Sequence, residues 1–145
     1  MPFSKIEEEA QLAKIVATFL EPYALALLRV VIGFTFSLHG FQKLFGYFGG
    51  MGHGRTAATF SLMWIAGALE CFGGLMILFG LFTRPVAFLL CGEMAVAYFK
   101  QHAGNGPWPI NNGGELAVLY CFVFLYLIHA GAGPLSFDRL VRRKQ

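Results

Sequence analysis

Charged side chains stand inside, or at the ends of, long apolar runs in this sequence. The set comprises three cations and three carboxylates: Arg29, Lys43, Lys100, Glu70, Glu93 and Glu115. A charge at the centre of a membrane helix costs about 2.5 to 3.5 kcal/mol on insertion scales, so unpaired charges would destabilise a small bundle. We therefore expect these side chains to face inward and to neutralise one another. A buried carboxylate, Glu70 or Glu93, could also exchange protons with a bound molecule.

Helical spacing favours this inward-facing arrangement. Arg29, Gly40 and Lys43 fall on one stripe of a helix, where glycine would allow a neighbouring helix to approach closely. We expect Arg29 to pair with Glu70 or Glu93, because a guanidinium stays charged and can bridge two carboxylates. Two interpretations stay open. The network either only fixes the register of the helices, or it surrounds a polar pocket that takes part in chemistry.

A second polar group is expected nearer the outer ends of the helices. Its members are His39, Gln42, Lys43, Lys100, His102, Asn111, Asn112 and Glu115. Such donors could hold the carbonyl oxygens of a quinone head group in a membrane cavity, with His39 or Glu115 giving or taking protons. The alternative is ordinary interfacial polarity, in which lysines extend toward water. A haem held by His39 and His102 is not expected, because these histidines show no spacing signature.

The sequence thus predicts one set of ligand-binding or interior polar residues, with no catalytic residue assigned and no metal site. The set is Arg29, His39, Lys43, Glu70, Glu93, Lys100 and Glu115. The cysteines, Cys71, Cys91 and Cys121, are widely separated within apolar runs and form no C-x-x-C motif. They are expected to be buried small hydrophobes, and neither zinc ligands nor a dithiol pair.

Composition and hydropathy predict the elements that must hold these side chains. Of the 145 residues, 57% are hydrophobic and 13% are charged, roughly half the charged fraction of about 25% in soluble domains. Four apolar stretches, at about 23–45, 61–82, 85–102 and 115–132, approach the length of about 20 residues that crosses a hydrocarbon core. We predict an all-α membrane protein: one domain over 1–145, a four-transmembrane-helix bundle with a short C-terminal cytoplasmic tail. An amphipathic segment at 4–20 is predicted to form a separate interfacial helix.

The distribution of basic residues predicts the orientation. On the side that holds both termini lie Lys5, Lys14, Arg84, Arg139, Arg142, Arg143 and Lys144, against Lys43, Arg55 and Lys100 on the other side. The positive-inside rule then places both termini in the cytoplasm. The formal net charge of +3 is too small to indicate a nucleic-acid partner.

Motifs spread over most of the chain are characteristic as a set. They are Arg29–Gly33, His39–Gly46, Glu70 with Gly73-Gly74, Gly80–Pro85, Glu93–Phe99, Asn112–Ala117 and Gly131–Asp138. This set, covering about Leu25 to Asp138, resembles the DoxX family of small four-helix membrane proteins. One departure is local: the proline follows the second glycine in Gly131-Ala132-Gly133-Pro134, where the family usually reads Gly-Pro-Gly.

The resemblance implies a multi-pass bacterial inner-membrane protein that works with a redox partner protein. Relatives of the family include DoxD-type subunits of a thiosulfate:quinone oxidoreductase. The leading hypothesis is therefore a subunit of a quinone-linked membrane oxidoreductase, with a quinone as candidate cofactor. The alternatives are a non-catalytic assembly or cargo subunit, and a small-molecule or proton carrier, which would require a homo-oligomer because four helices are few for a transporter.

Overall fold

The computed structural model of the protein describes residues 2–142, and it describes side chains for residues 5–141. Arg143 and Lys144, which contributed to the predicted orientation, lie outside this range, as do the side chains of Ser4 and Arg142. Helices connected by turns make up the fold, and no strand occurs within residues 2–142. The all-α prediction is therefore confirmed.

The first helix, α1, is a single element over Pro2–Phe45. Its 44 residues correspond to a length of about 66 Å. Pro22 lies inside α1 and removes one backbone hydrogen bond without ending the helix. The predicted separate helix at 4–20 is thus wrong as a boundary, because this segment continues directly into the part of α1 that packs in the bundle. Residues 5–21 are exposed, and burial begins only beyond them.

The remaining helices form the rest of the bundle. They are α2 (Leu62–Phe79), α3 (Thr83–Ala97), α4 (Pro109–Asn112), α5 (Glu115–Ala130) and α6 (Phe137–Arg142). Helix α2 contains a π-helical turn at Leu69–Gly73, and α3 runs on into a second π-helical turn at Tyr98–His102. Among the described residues, Lys5–Phe45 and Leu62–Phe79 are long and apolar enough to cross a membrane, while Glu115–Ala130 is apolar but shorter.

Glycines bring α1 and α2 into backbone contact. A Cβ atom added to Gly40 would stand 2.2 Å from the backbone nitrogen of Cys71, and one added to Gly33 would stand 2.4 Å from that of Leu78. One added to Gly74 would lie 2.7 Å from the backbone nitrogen of Ser37. The two helices therefore run antiparallel, and no side chain larger than hydrogen fits at these crossing points.

The second layer of the bundle is the pair α3 and α5, which pack along each other. The core between the layers contains Phe36 of α1, Leu90 of α3, and Phe124 and Leu127 of α5, all fully buried. Phe36 and Phe124 meet edge to face with ring centroids 4.9 Å apart, an arrangement that aromatic rings prefer.

Asp138 ties the C-terminal segment to the start of α3. Its carboxylate oxygens accept hydrogen bonds from the backbone N–H groups of Phe82 (2.7 Å) and Thr83 (2.9 Å). Its own N–H donates to the carbonyl oxygen of Gly80 (2.9 Å). A carboxylate at this position satisfies free donors at a helix N-terminus and is stabilised by the helix dipole. Two of the quoted motifs, Gly80–Pro85 and Gly131–Asp138, therefore meet in the fold.

Candidate functional site

A cavity of about 520 Å³ opens among α1, α2, α3 and α5. Most of its wall is apolar, with Phe36, Met63 and Tyr120 among the larger side chains. The polar and charged side chains in the wall are His39, Lys43, Glu70, Glu93, Lys100, Gln101 and His102. Cavities of this size with few polar groups in an apolar wall are typical of small-molecule sites.

Lys43 and Glu70 form an ion pair across α1 and α2. The distance from Lys43 Nζ to Glu70 Oε1 is 2.5 Å, and the exposed fractions of the two side chains are 21% and 4%. Gly67 makes the pair possible, because a Cβ there would stand 2.9 Å from the Cβ of Lys43. The carboxylate is thus removed from solvent, while the ammonium keeps a route to the cavity. Removing one partner of such a pair strongly destabilises the fold, because the other charge is left buried without compensation.

Glu93 lacks the compensation that Glu70 has. Both of its carboxylate oxygens are buried, and neither has a hydrogen-bond partner among residues 5–141. Its carboxyl group interacts electrostatically with both Glu70 and Lys43. The Lys43 ammonium is bonded to Glu70, and Glu93 forms no ion pair among residues 5–141. A buried carboxyl group without a partner costs free energy, which a proton, or a bound molecule that donates hydrogen bonds, would recover.

Both π-helical turns contribute to the wall of the cavity. Leu69 and Glu70 come from the turn in α2, and Lys100, Gln101 and His102 come from the turn that ends α3. A π turn inserts one residue and re-aims the side chains beside it, and such turns occur frequently at functional sites. Here they turn charged side chains toward the space between the helices.

Asn112 fixes the loop that connects α3 to α5 beside the cavity. Its amide nitrogen donates to the carbonyl oxygen of Gly106 (2.9 Å) and to the Tyr98 hydroxyl (3.3 Å). Its amide oxygen accepts from the N–H of Gly114 (2.8 Å), and its backbone oxygen lies 3.1 Å from His102 Nδ1. The buried amide therefore holds the connection between α3 and α5 together, with His102 attached to it.

His39 of α1 and Tyr120 of α5 also contribute to the wall of the cavity. Their rings meet edge to face with centroids 6.2 Å apart. The Tyr120 hydroxyl donates to Thr35 Oγ1 at 3.0 Å. The sequence prediction omitted Tyr120, although it shares a helix face with Ala117 and Phe124 at spacings of three and four residues, a pattern that could have placed it inward.

Arg29 is not part of this cavity, and its predicted pairing with Glu70 or Glu93 is wrong. It is only 3% exposed and donates from Nη1 to the carbonyl oxygens of Ile77 (2.8 Å) and Leu78 (2.5 Å). From Nη2 it donates to the carbonyl oxygen of Leu135 (2.6 Å). The register of α1 and α2 is the reason: Lys43 lies opposite Gly67 and Glu70, which leaves Arg29 beside the last turn of α2. A guanidinium there satisfies free helix carbonyls.

Glu115 is also placed away from the cavity. It is the exposed first residue of α5, and the neighbouring Leu116 and Ala117 contribute to the wall in its place. Gln42 and Asn111 are likewise absent from the wall. Of the seven predicted residues, the cavity wall contains His39, Lys43, Glu70, Glu93 and Lys100. No group of three or more potential metal ligands occurs within the described part of the chain.

The outer surface of the bundle defines the class of protein. Large apolar side chains such as Phe72, Phe88 and Phe122 are mostly exposed on α2, α3 and α5. Water would not tolerate so extensive an apolar surface, whereas lipid does. With an ion pair in its interior, this is a helical membrane protein whose mostly apolar cavity contains a few charged side chains. The DoxX family model matches residues 24–103, and the chain belongs to the DoxX family.

Relatives extend the match over most of the chain. An uncharacterised protein of Haemophilus influenzae is 43% identical over 126 residues, which cover 85% of this chain and 94% of that protein. A Bacillus subtilis protein named "Putative oxidoreductase CatD" is 30% identical over 118 residues, covering 79% and 84% of the two chains. No solved structure matches the chain.

Proposed function

We propose that this protein is an inner-membrane subunit of a redox system that binds a quinone, or a similar small lipid-soluble molecule, in the cavity between its helices. The observation that carries the proposal is the Glu93 carboxyl group. It lies in the cavity wall with both oxygens buried and unpartnered among residues 5–141. A site that is incomplete in this way is suited to a ligand that brings hydrogen-bonding groups or exchanges protons.

The chemistry of the wall favours a quinone head group. Its two carbonyl oxygens need donors, which the Lys43 ammonium, the His39 ring and the Lys100 ammonium can provide. A quinone takes up two electrons and two protons on full reduction. Glu93 and Glu70 are positioned to hold or pass a proton at their carboxyl oxygens, and the apolar wall accommodates the ring and tail.

The wider setting is part of the same proposal. The bundle crosses the membrane four times, with both termini in the cytoplasm, and receives electrons from a redox partner protein. The oxidoreductase name of the Bacillus subtilis relative supports a redox role. The positive-inside distribution of Lys and Arg supports the orientation.

Quinone binding is tested with purified protein in detergent, titrated with decylubiquinone and assayed for retained quinone after gel filtration. Wild type is expected to retain quinone saturably. Glu93→Gln is expected to weaken retention at least tenfold, which corresponds to about 1.4 kcal/mol. Its thermal stability should stay equal or rise, because the variant removes a buried carboxyl group that faces Glu70.

Glu115→Gln is the matched control, since it removes a carboxylate of the same size outside the cavity. It should retain quinone like wild type. Wild-type protein that shows no saturable retention would contradict quinone binding. A Glu70→Gln variant that loses stability while Glu93→Gln binds normally would favour a purely structural role for the charges.

A further inference from the structure

Two thiols that are distant in sequence meet on the outer side of the bundle. Cys91 of α3 and Cys121 of α5 have their Sγ atoms 3.7 Å apart. The sequence predicts separate buried hydrophobes, because the cysteines form no C-x-x-C motif and 29 residues lie between these two along the chain. The antiparallel packing of α3 on α5 removes that separation.

The two sulfur atoms are in van der Waals contact and are not bonded. A disulfide bond requires about 2.05 Å between the sulfur atoms, so the two Sγ atoms must approach by roughly 1.6 Å. Side-chain rotation on two neighbouring helices covers a displacement of that size. The third cysteine differs: Cys71 is 2% exposed and packs against Gly40 of α1.

The surroundings of the two thiols determine which kind of electron acceptor can reach them. Cys91 and Cys121 are half-buried and do not line the cavity. The apolar side chains of Phe88, Phe122 and Leu125 are exposed close to them along the two helices. In a membrane protein this surface faces acyl chains, so an electron acceptor that reaches the thiols must dissolve in lipid.

We propose that Cys91 and Cys121 are a redox-active dithiol that is converted to an interhelical disulfide by a lipid-soluble quinone. Two S–H bonds break and one S–S bond forms. The two electrons and two protons released pass to the quinone, which leaves as the quinol. The inference goes beyond the proposed function, because the pair lies outside the cavity and needs only a quinone dissolved in the bilayer.

The test uses full-length protein in liposomes, incubated with decylubiquinone. Free thiols are then blocked with N-ethylmaleimide after denaturation, and the protein is digested and mapped by mass spectrometry. The expected result is a linked pair of peptides containing Cys91 and Cys121, with one quinol formed per disulfide. Cys71 should be found alkylated. The wild-type map alone identifies the pair, so the result does not depend on a variant that folds poorly.

Variants separate this proposal from the cavity. Cys71→Ser should form the disulfide like wild type, whereas Cys91→Ser and Cys121→Ser should not. Glu93→Gln should form it too, even where quinone retention in the cavity is lost. The proposal would be overturned if, after exposure of wild-type protein to quinone, both Cys91 and Cys121 were still free and were found alkylated. Disulfides that link Cys71 as often as they link Cys91 to Cys121 would also overturn it.

Discussion

Lys43 is the cation that neutralises a buried carboxylate inside the bundle. Its ammonium is bonded to Glu70, while Glu93 in the same cavity wall forms no ion pair among residues 5–141. The residue types predict that three cations neutralise three carboxylates. The described residues form one ion pair, because Arg29 is occupied by helix carbonyls and Glu115 is exposed. Residue types predict that buried charges need partners, but they do not predict which side chains pair, since pairing depends on helix register.

Removing the cation should therefore be costly. Lys43→Met leaves the Glu70 carboxylate buried without its partner, and the free energy of unfolding is expected to fall by about 3 to 5 kcal/mol. Lys43→Met combined with Glu70→Gln should recover most of that loss, because no uncompensated charge remains. The measurement is unfolding in mixed detergent micelles followed by circular dichroism.

Lys100→Met is the matched control for this prediction. Lys100 is exposed and forms no ion pair in the part of the chain that is described. Its replacement should change stability by less than about 0.5 kcal/mol. If the double variant at positions 43 and 70 were no more stable than Lys43→Met alone, the loss of stability in Lys43→Met would not come from the unpaired Glu70 carboxylate.

At the scale of the element, apolar runs and glycine spacing were enough to predict where helices form but not their irregularities. The stretch 61–82 corresponds to α2, and its start at Ser61 is fixed by a side-chain cap that accepts from the Trp64 N–H (3.2 Å). The π turn at Leu69–Gly73 has no sequence signature, because an extra residue in a helix is accommodated by contacts with other helices. The length of α1 was missed because the amphipathic pattern at 4–20 and the apolar run from about 23 differ in character, although the backbone continues through both as one helix.

The α1–α2 crossing is the element most sensitive to substitution. Gly40→Ala would place a Cβ 2.2 Å from the backbone nitrogen of Cys71. Backbone cannot move aside as a flexible side chain does, so the helices must separate. We expect the free energy of unfolding to fall by about 3 kcal/mol, measured as for Lys43→Met, with the Lys43–Glu70 pair weakened as well.

Gly92→Ala provides the comparison for Gly40→Ala. Gly92 lies within α3, and an added Cβ there meets no atom within 4 Å. Alanine favours a helix over glycine by up to about 1 kcal/mol, so this variant should be as stable as wild type or slightly more stable. If Gly40→Ala and Gly92→Ala lowered the free energy of unfolding equally, close packing of α1 on α2 would not be the reason that position 40 requires glycine.

At the scale of the whole molecule, four separate segments of the chain converge on the cavity. His39 and Lys43 come from α1, Glu70 from α2, Glu93 and Lys100 from α3 and the turn that continues it, and Tyr120 from α5. The sequence placed these residue types near one another because membrane charges must turn inward. It could not separate them from Arg29 and Glu115, whose positions depend on how far each helix slides along its neighbours.

The proposed orientation predicts the result of reporter fusions. Green fluorescent protein at either terminus should fluoresce, and alkaline phosphatase at the C-terminus should be inactive, because both ends face the cytoplasm. Alkaline phosphatase inserted in the turns at 50–56, between α1 and α2, should be active and serves as the control. An active C-terminal phosphatase fusion would contradict the orientation, and together with a fluorescent N-terminal fusion it would also contradict an even number of spans.

The unbroken length of α1 has a mechanical consequence. A hydrocarbon core is about 30 Å thick, and α1 is about twice that long, so a large part of it extends beyond any slab it crosses. Residues 5–21 make up the exposed end, and Lys43 stands near the other. Because the helix continues through Pro22, a pull or push on residues 5–21 is transmitted along one backbone toward Lys43 and its partner Glu70.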